Sequence, residues 1–157
     1  MDDDTLRFNE NELLWGQLIM TNTLLQRARE LELAGADISL VQAMVLYALK
    51  ISPEPLTPGK LAKMLYREPH SMSALISRME KQGLVETKHD LVPKNLVRVF
   101  LTARGEEAFQ RQRTANAVIN LTSRLTKEER DSLSSCAGKL RLWSIELIRQ
   151  MTPGPYD

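Results

Sequence analysis

A stretch in the middle of the chain combines a buried apolar stripe with an outward face of short polar and basic side chains. The apolar residues follow the i, i+3, i+4, i+7 spacing of one helix face. Short side chains let a helix backbone approach DNA base edges, hydroxyls donate or accept there, and basic groups reach phosphates or guanine. This pattern predicts a DNA-reading helix, with an ordinary solvated surface helix as the alternative. The stripe is Met72, Leu75, Ile76 and Met79, and the outward face is Ser71, Ser73, Ala74, Ser77, Arg78 and Lys81.

A second short helix is predicted immediately before this one. Thr57 is a good N-cap in front of Pro58, and the apolar residues from Lys60 to Leu65 share one face. A connector of three residues follows, and Pro69 can begin the next helix. Two short helices joined by a tight turn are typical of a helix-turn-helix. We expect the N-terminal ends of these two helices to add three DNA contacts: Thr57, Lys60 and His70.

The segment after the second helix predicts a β-hairpin with a basic tip. Residues 84–88 and 96–101 are rich in β-branched and apolar residues, and a polar stretch lies between them. A basic hairpin that follows a helix-turn-helix is a wing, whose tip enters the adjacent minor groove. The expected wing contacts are Lys88, Lys94, Asn95 and Arg98.

Caps predict the remaining helices. Helices are expected to begin after Asn9, Ser39, Thr102 and Thr126, and to run to about residues 33, 50, 125 and 150. Gly35 and Gly83 stand where helices should end. The predicted order is therefore four helices, a hairpin and two helices, mainly α with a small β-hairpin wing.

Composition limits the class of protein. The 157 residues suggest one domain, or one domain with an extension, and 43% apolar with 26% charged residues is an ordinary globular balance. One cysteine, Cys136, cannot form an internal disulfide. The acidic start predicts no signal peptide, and the longest apolar run, Ala43 to Leu49, is too short for a membrane span. We therefore expect a cytoplasmic protein without a membrane partner.

The charge is unevenly distributed although the net charge is only +1. Residues 1–56 carry four Lys and Arg against nine Asp and Glu, whereas residues 57–104 carry nine against four. A basic middle third favours a polyanionic partner, although a solvated basic face would look the same.

No catalytic or metal-binding constellation is apparent. The sequence shows no nucleophile with a paired base, carboxylate pair, phosphate-binding loop or Cys/His cluster, and His70 and His89 lack ligand partners at useful spacing. We therefore expect neither an enzyme nor a cofactor. Cys136 has only Lys139 nearby as an activating charge, so an inert role is favoured.

The two terminal helices favour a homodimer. Apolar residues surround most of residues 10–33 and of residues 139–151, and a helix that is apolar on several sides needs a partner on each. A thick core within one monomer is the alternative. The predicted interface residues are Leu13, Leu14, Leu18, Leu142, Trp143, Ile145 and Ile148.

Three segments together resemble the MarR family of bacterial transcription regulators. Residues 38–49 resemble its second helix, Leu61-Ala62 followed by residues 71–85 resembles its helix-turn-helix, and residues 97–105 resemble the second wing strand and the turn into the fifth helix. The resemblance covers about residues 10–150. It departs from the family at the wing, where an Asp-x-Arg pair is replaced by Pro93 and Asn95, with Lys94 between them.

The resemblance implies a winged helix-turn-helix lobe over residues 37–104 and dimerisation helices over residues 1–36 and 105–157. It also implies a small aromatic ligand bound between the dimer helices and the lobe, for which Trp15, Met44, Tyr47 and Met64 are suitable liners. The resulting hypothesis is a dimeric regulator of double-stranded DNA, a repressor of palindromic operators. A winged-helix module that binds protein instead of DNA is the alternative.

Overall fold

The computed structural model describes residues 8–89, 96–114 and 117–151. It contains seven α-helices, a two-stranded sheet and one 3-10 turn within those ranges. In chain order they are α1 (Glu10–Ala34), α2 (Leu40–Ile51), α3 (Pro58–Met64), α4 (Pro69–Lys81), β1 (Val85–His89), β2 (Val97–Leu101), α5 (Ala103–Thr114), α6 (Ala117–Leu121), the 3-10 turn Thr122–Arg124 and α7 (Lys127–Met151).

Side-chain caps begin the helices where the sequence predicts them. Asn9 and Ser39 each form a reciprocal capping box, with Glu12 and Gln42 as partners. Thr126 forms the same arrangement at the start of α7. Each cap satisfies backbone N–H groups that the first helical turn leaves without a partner.

One local prediction is wrong. The helix after Thr102 was predicted to continue to about Leu125, but α5 ends at Thr114 and two short helical segments follow within residues 117–124. The hydroxyls of Thr122 and Ser123 bond carbonyls three residues back, which favours the tighter 3-10 turn. Gly35 ends α1 as predicted, with a right-handed φ, and the positive φ after this helix belongs to Asp37.

The two strands pair antiparallel, from Val85 opposite Leu101 to His89 opposite Val97. One isolated β-bridge connects β2 to the segment between α2 and α3, since the Val99 N–H donates to the Leu56 carbonyl at 2.8 Å. The hairpin is thus anchored along β2 to the segment between α2 and α3.

The core lies among α2, α3, α4, the hairpin and the first half of α5. One α1 residue joins it, Leu33, and two α5 residues, Ala108 and Phe109. By contrast, α7 has no buried residue over its 25 positions, and Leu33 is the one buried residue of α1. The two longest helices therefore leave most of their apolar surface uncovered within a single chain.

Candidate nucleic-acid interface

Helix α4 has the two faces that the sequence predicts. Met72, Leu75, Ile76 and Met79 are buried in the core. The six residues of the outward face are all exposed: Ser71, Ser73, Ala74, Ser77, Arg78 and Lys81.

The turn before α4 sets the direction in which this helix leaves α3. Tyr66 adopts a left-handed φ of 49°, and the Arg67 N–H donates to the Ala62 carbonyl at 2.9 Å. With the Tyr66 N–H donating to the Lys63 carbonyl, these bonds form a Schellman ending of α3. A left-handed φ is unusual for a residue other than glycine, and here the two bonds hold it.

The end of α4 is fixed by a second Schellman motif and by the side chain of Thr102, the residue before α5. Gly83 has a φ of 70°, its N–H donates to the Glu80 carbonyl, and the Leu84 N–H donates to the Met79 carbonyl. The Thr102 hydroxyl donates to the Gly83 carbonyl while accepting from the Gly105 N–H at the start of α5.

A buried glutamine on α2 adds a third constraint. The Gln42 Nε2 donates to Gln82 Oε1 at 2.5 Å, and its Oε1 accepts from the Ser39 N–H at 2.8 Å. One side chain therefore joins the N-terminus of α2 to the residue that ends α4.

An open groove of about 750 Å³ runs along the outward face of α4. It brings together six of the predicted DNA contacts: His70, Ser71, Ala74, Ser77, Arg78 and Lys81. Three further residues that the sequence analysis missed as DNA contacts line the groove: Ser39, which caps α2, Val41 from α2 and Arg67 from the turn. Arg67 could have been found from its place between the two helices, whereas the α2 residues are adjacent only through tertiary packing.

The serine hydroxyls of this face differ in what they can offer a ligand. Ser73 donates to the Pro69 carbonyl one turn back, at 3.0 Å, so its oxygen is left to accept. The hydroxyls of Ser71 and Ser77 make no hydrogen bond within the described residues, so they can donate as well as accept.

The remaining described candidates lie outside the groove, at the start of α3 and on the wing. Thr57 caps α3 by accepting from the Lys60 N–H at 3.1 Å, and the Lys60 ammonium lies 3.8 Å from Glu54. Lys88 and Arg98 are directly paired across the wing strands. Lys94 and Asn95 lie outside the described residues.

The two wing cations are held apart by their own partners. The Lys88 ammonium lies 2.6 Å from Glu86 and 5.1 Å from the centre of the Phe100 ring. Arg98 donates to the Pro55 carbonyl at 3.2 Å. These contacts offset the repulsion between like charges on facing strands.

Two exposed carboxylates accept hydrogen bonds that favour their charged form. The Thr87 hydroxyl and backbone N–H lower the pKa of Glu80. Hydrogen bonds from Lys50 and Gln110 lower the pKa of Glu106, with the Lys50 charge adding to the effect. Both groups are therefore ionised at neutral pH.

An apolar hollow of about 420 Å³ lies between α2 and α3 and shares no lining residue with the groove. It brings together three of the four predicted ligand-lining residues, Met44, Tyr47 and Met64. Trp15 is not one of its lining residues: the α1 residue there is Arg29, about 21 Å farther along the helix axis than Trp15. Trp15 lies on the exposed surface of α1. The sequence analysis missed Arg29 because it looked for aromatic and apolar side chains.

Six of the seven predicted dimer-interface residues are exposed in the single chain, and the seventh, Ile145, is half-buried. Trp143 on α7, for example, is 61% exposed. The described ranges contain no group of three His, Cys, Asp or Glu side chains placed to bind a metal. None of the helices that the structure describes combines the length and apolar composition needed for a membrane span.

A helix-turn-helix followed by a paired hairpin, with the second helix exposed along a basic groove, defines a winged-helix DNA-binding protein. A family model described as the MarR family matches residues 36–91, which run from the end of α1 through β1. An uncharacterised HTH-type transcriptional regulator of Bacillus cereus is 31% identical over 112 residues, 71% of this chain and 70% of that protein.

Solved structures agree with this assignment. The organohalide-sensing transcriptional regulator RdhR-CbdbA1625 in its ligand-free form is 31% identical, with a TM-score of 0.77 over 95% of this chain and 93% of that one. Its 2,4-dichlorophenol-bound form gives a TM-score of 0.76 at the same identity over 94% and 92% of the two chains. Sco3205, a MarR family regulator from Streptomyces coelicolor solved in complex with DNA, is 25% identical, with a TM-score of 0.78 over 89% and 91% of the chains.

The protein belongs to the MarR family of transcriptional regulators. It is a DNA-binding regulator with the winged helix-turn-helix of that family, and not an enzyme.

Proposed function

We propose that the protein represses transcription as a cytoplasmic homodimer bound to palindromic operators, and that a small aromatic ligand releases it. In this proposal residues 37–104 form the DNA-binding lobe, while residues 1–36 and 105–157 supply the dimerisation helices. The observation that carries the proposal is the groove along α4, where exposed short side chains stand beside Arg78 and Lys81.

The outward face of α4 supports reading of the major groove. The free hydroxyls of Ser71 and Ser77 can contact base edges, and the Ala74 methyl can pack on a thymine methyl. Arg78 and Lys81 can bind phosphates or a guanine, which fixes the helix in register. Thr57, Lys60 and His70, together with the wing residues Lys88, Lys94, Asn95 and Arg98, are proposed to extend these contacts along the duplex.

Selection of bound fragments from the source genome tests the DNA-binding part of the proposal. We expect enrichment of inverted repeats whose half-sites are about one helical turn, or ~34 Å, apart, because a two-fold dimer presents two copies of α4. Enrichment of single, unpaired half-sites would contradict the dimeric mode of reading. A reporter gene behind the selected site then tests repression, which predicts lower expression when the protein is present.

The exposed apolar surfaces of α1 and α7 support the dimer. A helix of 25 residues with no buried position has too little packing to be stable alone, so a second subunit is the natural cover for α7. The proposed contacts are Leu13, Leu14, Leu18, Leu142, Trp143, Ile145 and Ile148.

Replacing Trp143 by aspartate tests this interface. Large buried aromatics are frequent hot spots, worth about 2 kcal/mol or more each, so Trp143→Asp should convert dimers to monomers in light scattering at micromolar concentration. Tyr66→Asp, on the exposed turn before α4, is the matched control and should stay dimeric. A wild-type protein that is monomeric at the same concentration would refute the dimer.

The apolar hollow between α2 and α3 supports an aromatic ligand. Its volume of about 420 Å³ lies in the usual range of small-molecule sites, and its lining is apolar apart from Arg29 and the Tyr47 hydroxyl. The similar regulator RdhR-CbdbA1625 has been crystallised with 2,4-dichlorophenol. A ligand in this hollow releases DNA only if it binds the DNA-free conformation more tightly than the DNA-bound one.

Titration with 2,4-dichlorophenol tests the ligand site. We expect a raised melting temperature and weaker operator binding, both abolished in Met44→Trp, whose larger side chain fills the hollow. Met151→Trp, at the exposed end of α7, is the control and should respond as the wild type does. An unchanged response in Met44→Trp would exclude this hollow as the site.

A further inference from the structure

The DNA-reading helix and the wing are joined by one carboxylate. Glu80 Oε1, near the end of α4, accepts from the Thr87 N–H at 2.9 Å and from the Thr87 hydroxyl at 2.7 Å. Thr87 is the central residue of β1 and is paired with Val99 of β2. A single oxygen therefore fixes the middle of the wing to the last turn of α4.

The charge of Glu80 is unfavourable for the function of the helix that carries it. Glu80 is the one acidic residue within α4, and it stands between Arg78 and Lys81 in the sequence. A carboxylate beside a DNA-binding face repels phosphates, so on charge alone its removal should strengthen binding. Its two hydrogen bonds to Thr87 supply a reason for its presence that does not depend on attraction to DNA.

We propose that Glu80 is a positioning residue for DNA binding, which holds the wing at the angle where α4 and the wing reach the duplex together. The inference rests on the DNA-binding function proposed above. It names the contact that sets the geometry of the interface, in addition to the residues that touch DNA.

The wing needs such a contact because two strands alone are marginally stable. On the β2 side it is attached to the lobe by the Val99 N–H, which donates to Leu56, and by Arg98, which donates to Pro55. The Glu80–Thr87 contact is the corresponding attachment on the β1 side.

A small change in the angle between α4 and the wing strands displaces the far end of the strands by several ångströms. Five residues of strand span about 16 Å, so a tilt of about 10° at the base moves the far end by about 3 Å. A shift of that size is enough to break a hydrogen bond or phosphate contact made by the wing.

Four variants test the proposal, using the full-length protein and the operator fragment obtained by selection. Glu80→Ala and Glu80→Gln alter the acceptor, Thr87→Val removes the hydroxyl donor, and Thr87→Ser keeps it. Glu107→Ala, an exposed α5 site, is the control with the same change of charge.

We expect Glu80→Ala to bind the operator about tenfold more weakly and to lose protection of the minor groove beside each half-site. The slope of log affinity against log salt should fall by about 2 in magnitude, because each of the two subunits loses one phosphate contact of its wing. Glu80→Gln should lose less, because its amide oxygen still accepts from Thr87. Thr87→Val should be weakened, Thr87→Ser should bind as the wild type does, and the Glu80→Ala/Thr87→Val double variant should lose less than the two single losses combined.

The outcomes separate this inference from the function on which it rests. Equal or tighter binding by Glu80→Ala, with an unchanged melting temperature, would overturn the positioning role, because repulsion would then be the only effect of the carboxylate. The same weakening in Glu107→Ala would overturn it as well. A wild-type protein that binds no genomic fragment would refute the proposed function together with the inference.

Discussion

Replacing Arg78 by alanine should lower the salt dependence of operator binding by a predictable amount. Arg78 is exposed beside the groove and makes no ion pair with any described residue. Each cation that neutralises a DNA phosphate releases counterions and contributes about 0.9 to the slope of log affinity against log salt. A dimer carries two copies, so the slope should fall by about 1.8 in magnitude.

The structure allows the effect on affinity to be worked out. Four basic side chains in each subunit lie on the outward face of α4 and on the wing strands, Arg78, Lys81, Lys88 and Arg98, hence eight in a dimer. If all eight contact phosphates, the wild-type slope is about −7.2, and raising salt from about 50 to 200 mM weakens binding about 2 × 10⁴-fold. The variant, with a slope of about −5.4, should lose only about 2 × 10³-fold over the same range.

Fluorescence anisotropy with a labelled operator at four or more salt concentrations measures both slopes. Lys127→Ala removes an equal charge at the start of α7, outside the groove and the wing, and should leave the slope unchanged. A wild-type slope retained in Arg78→Ala would refute a phosphate contact at this position. An equal reduction in Lys127→Ala would show that net charge, and not this face, determines the salt dependence.

Three further predictions concern the scaffold that holds the site. Gly105→Ala should destabilise the fold by about 1–3 kcal/mol in urea unfolding, because the added Cβ would lie 2.0 Å from the Leu84 carbonyl oxygen; an unchanged unfolding midpoint would show that α5 can move away freely. Met72→Ala should cost about 2–5 kcal/mol since Met72 is fully buried beneath the reading face, and a loss below ~1 kcal/mol would mean that this core collapses around the cavity. The hydrogen bond from Lys50 lowers the pKa of Glu106 in the folded protein, so the Glu106 carboxylate stabilises the fold at pH values above the pKa it has in the unfolded chain, and this stabilisation is lost as the pH falls through the lower folded pKa. Glu106→Gln should therefore reduce the difference in unfolding free energy between pH 7 and pH values below about 4. An equal difference in both proteins would contradict the role of the carboxylate.

The helices of the winged helix-turn-helix are encoded locally. Thr57 before Pro58, and Ser39 three residues before Gln42, predict helix starts that the structure contains. The alternation of buried and exposed positions along α4 likewise follows from its 3.6-residue period. These features need only neighbours within one or two turns, so a single sequence is enough to predict them.

The predictions that differ from the structure concern weak local interactions or residues that are distant along the chain. The segment after α5 was predicted as one continuous helix because its composition is helix-compatible, but the Thr122 and Ser123 hydroxyls compete for backbone carbonyls. Trp15 was grouped with Met44 by residue type alone, although α1 presents Arg29 to that hollow. Side-chain chemistry identifies what a residue can do, but not which residues lie beside it.

The helix-turn-helix, the hairpin, the solvent-facing side of α4 and the resemblance to a family could all be predicted from the amino-acid sequence, since period, caps and turn residues are local properties of the chain. Tertiary structure alone decided that Gln42 bonds Gln82 across 40 positions and that the wing is attached to α4 through Glu80 and Thr87. Those bonds form only after the core has packed, because burial of the apolar stripe brings distant polar groups within hydrogen-bonding distance.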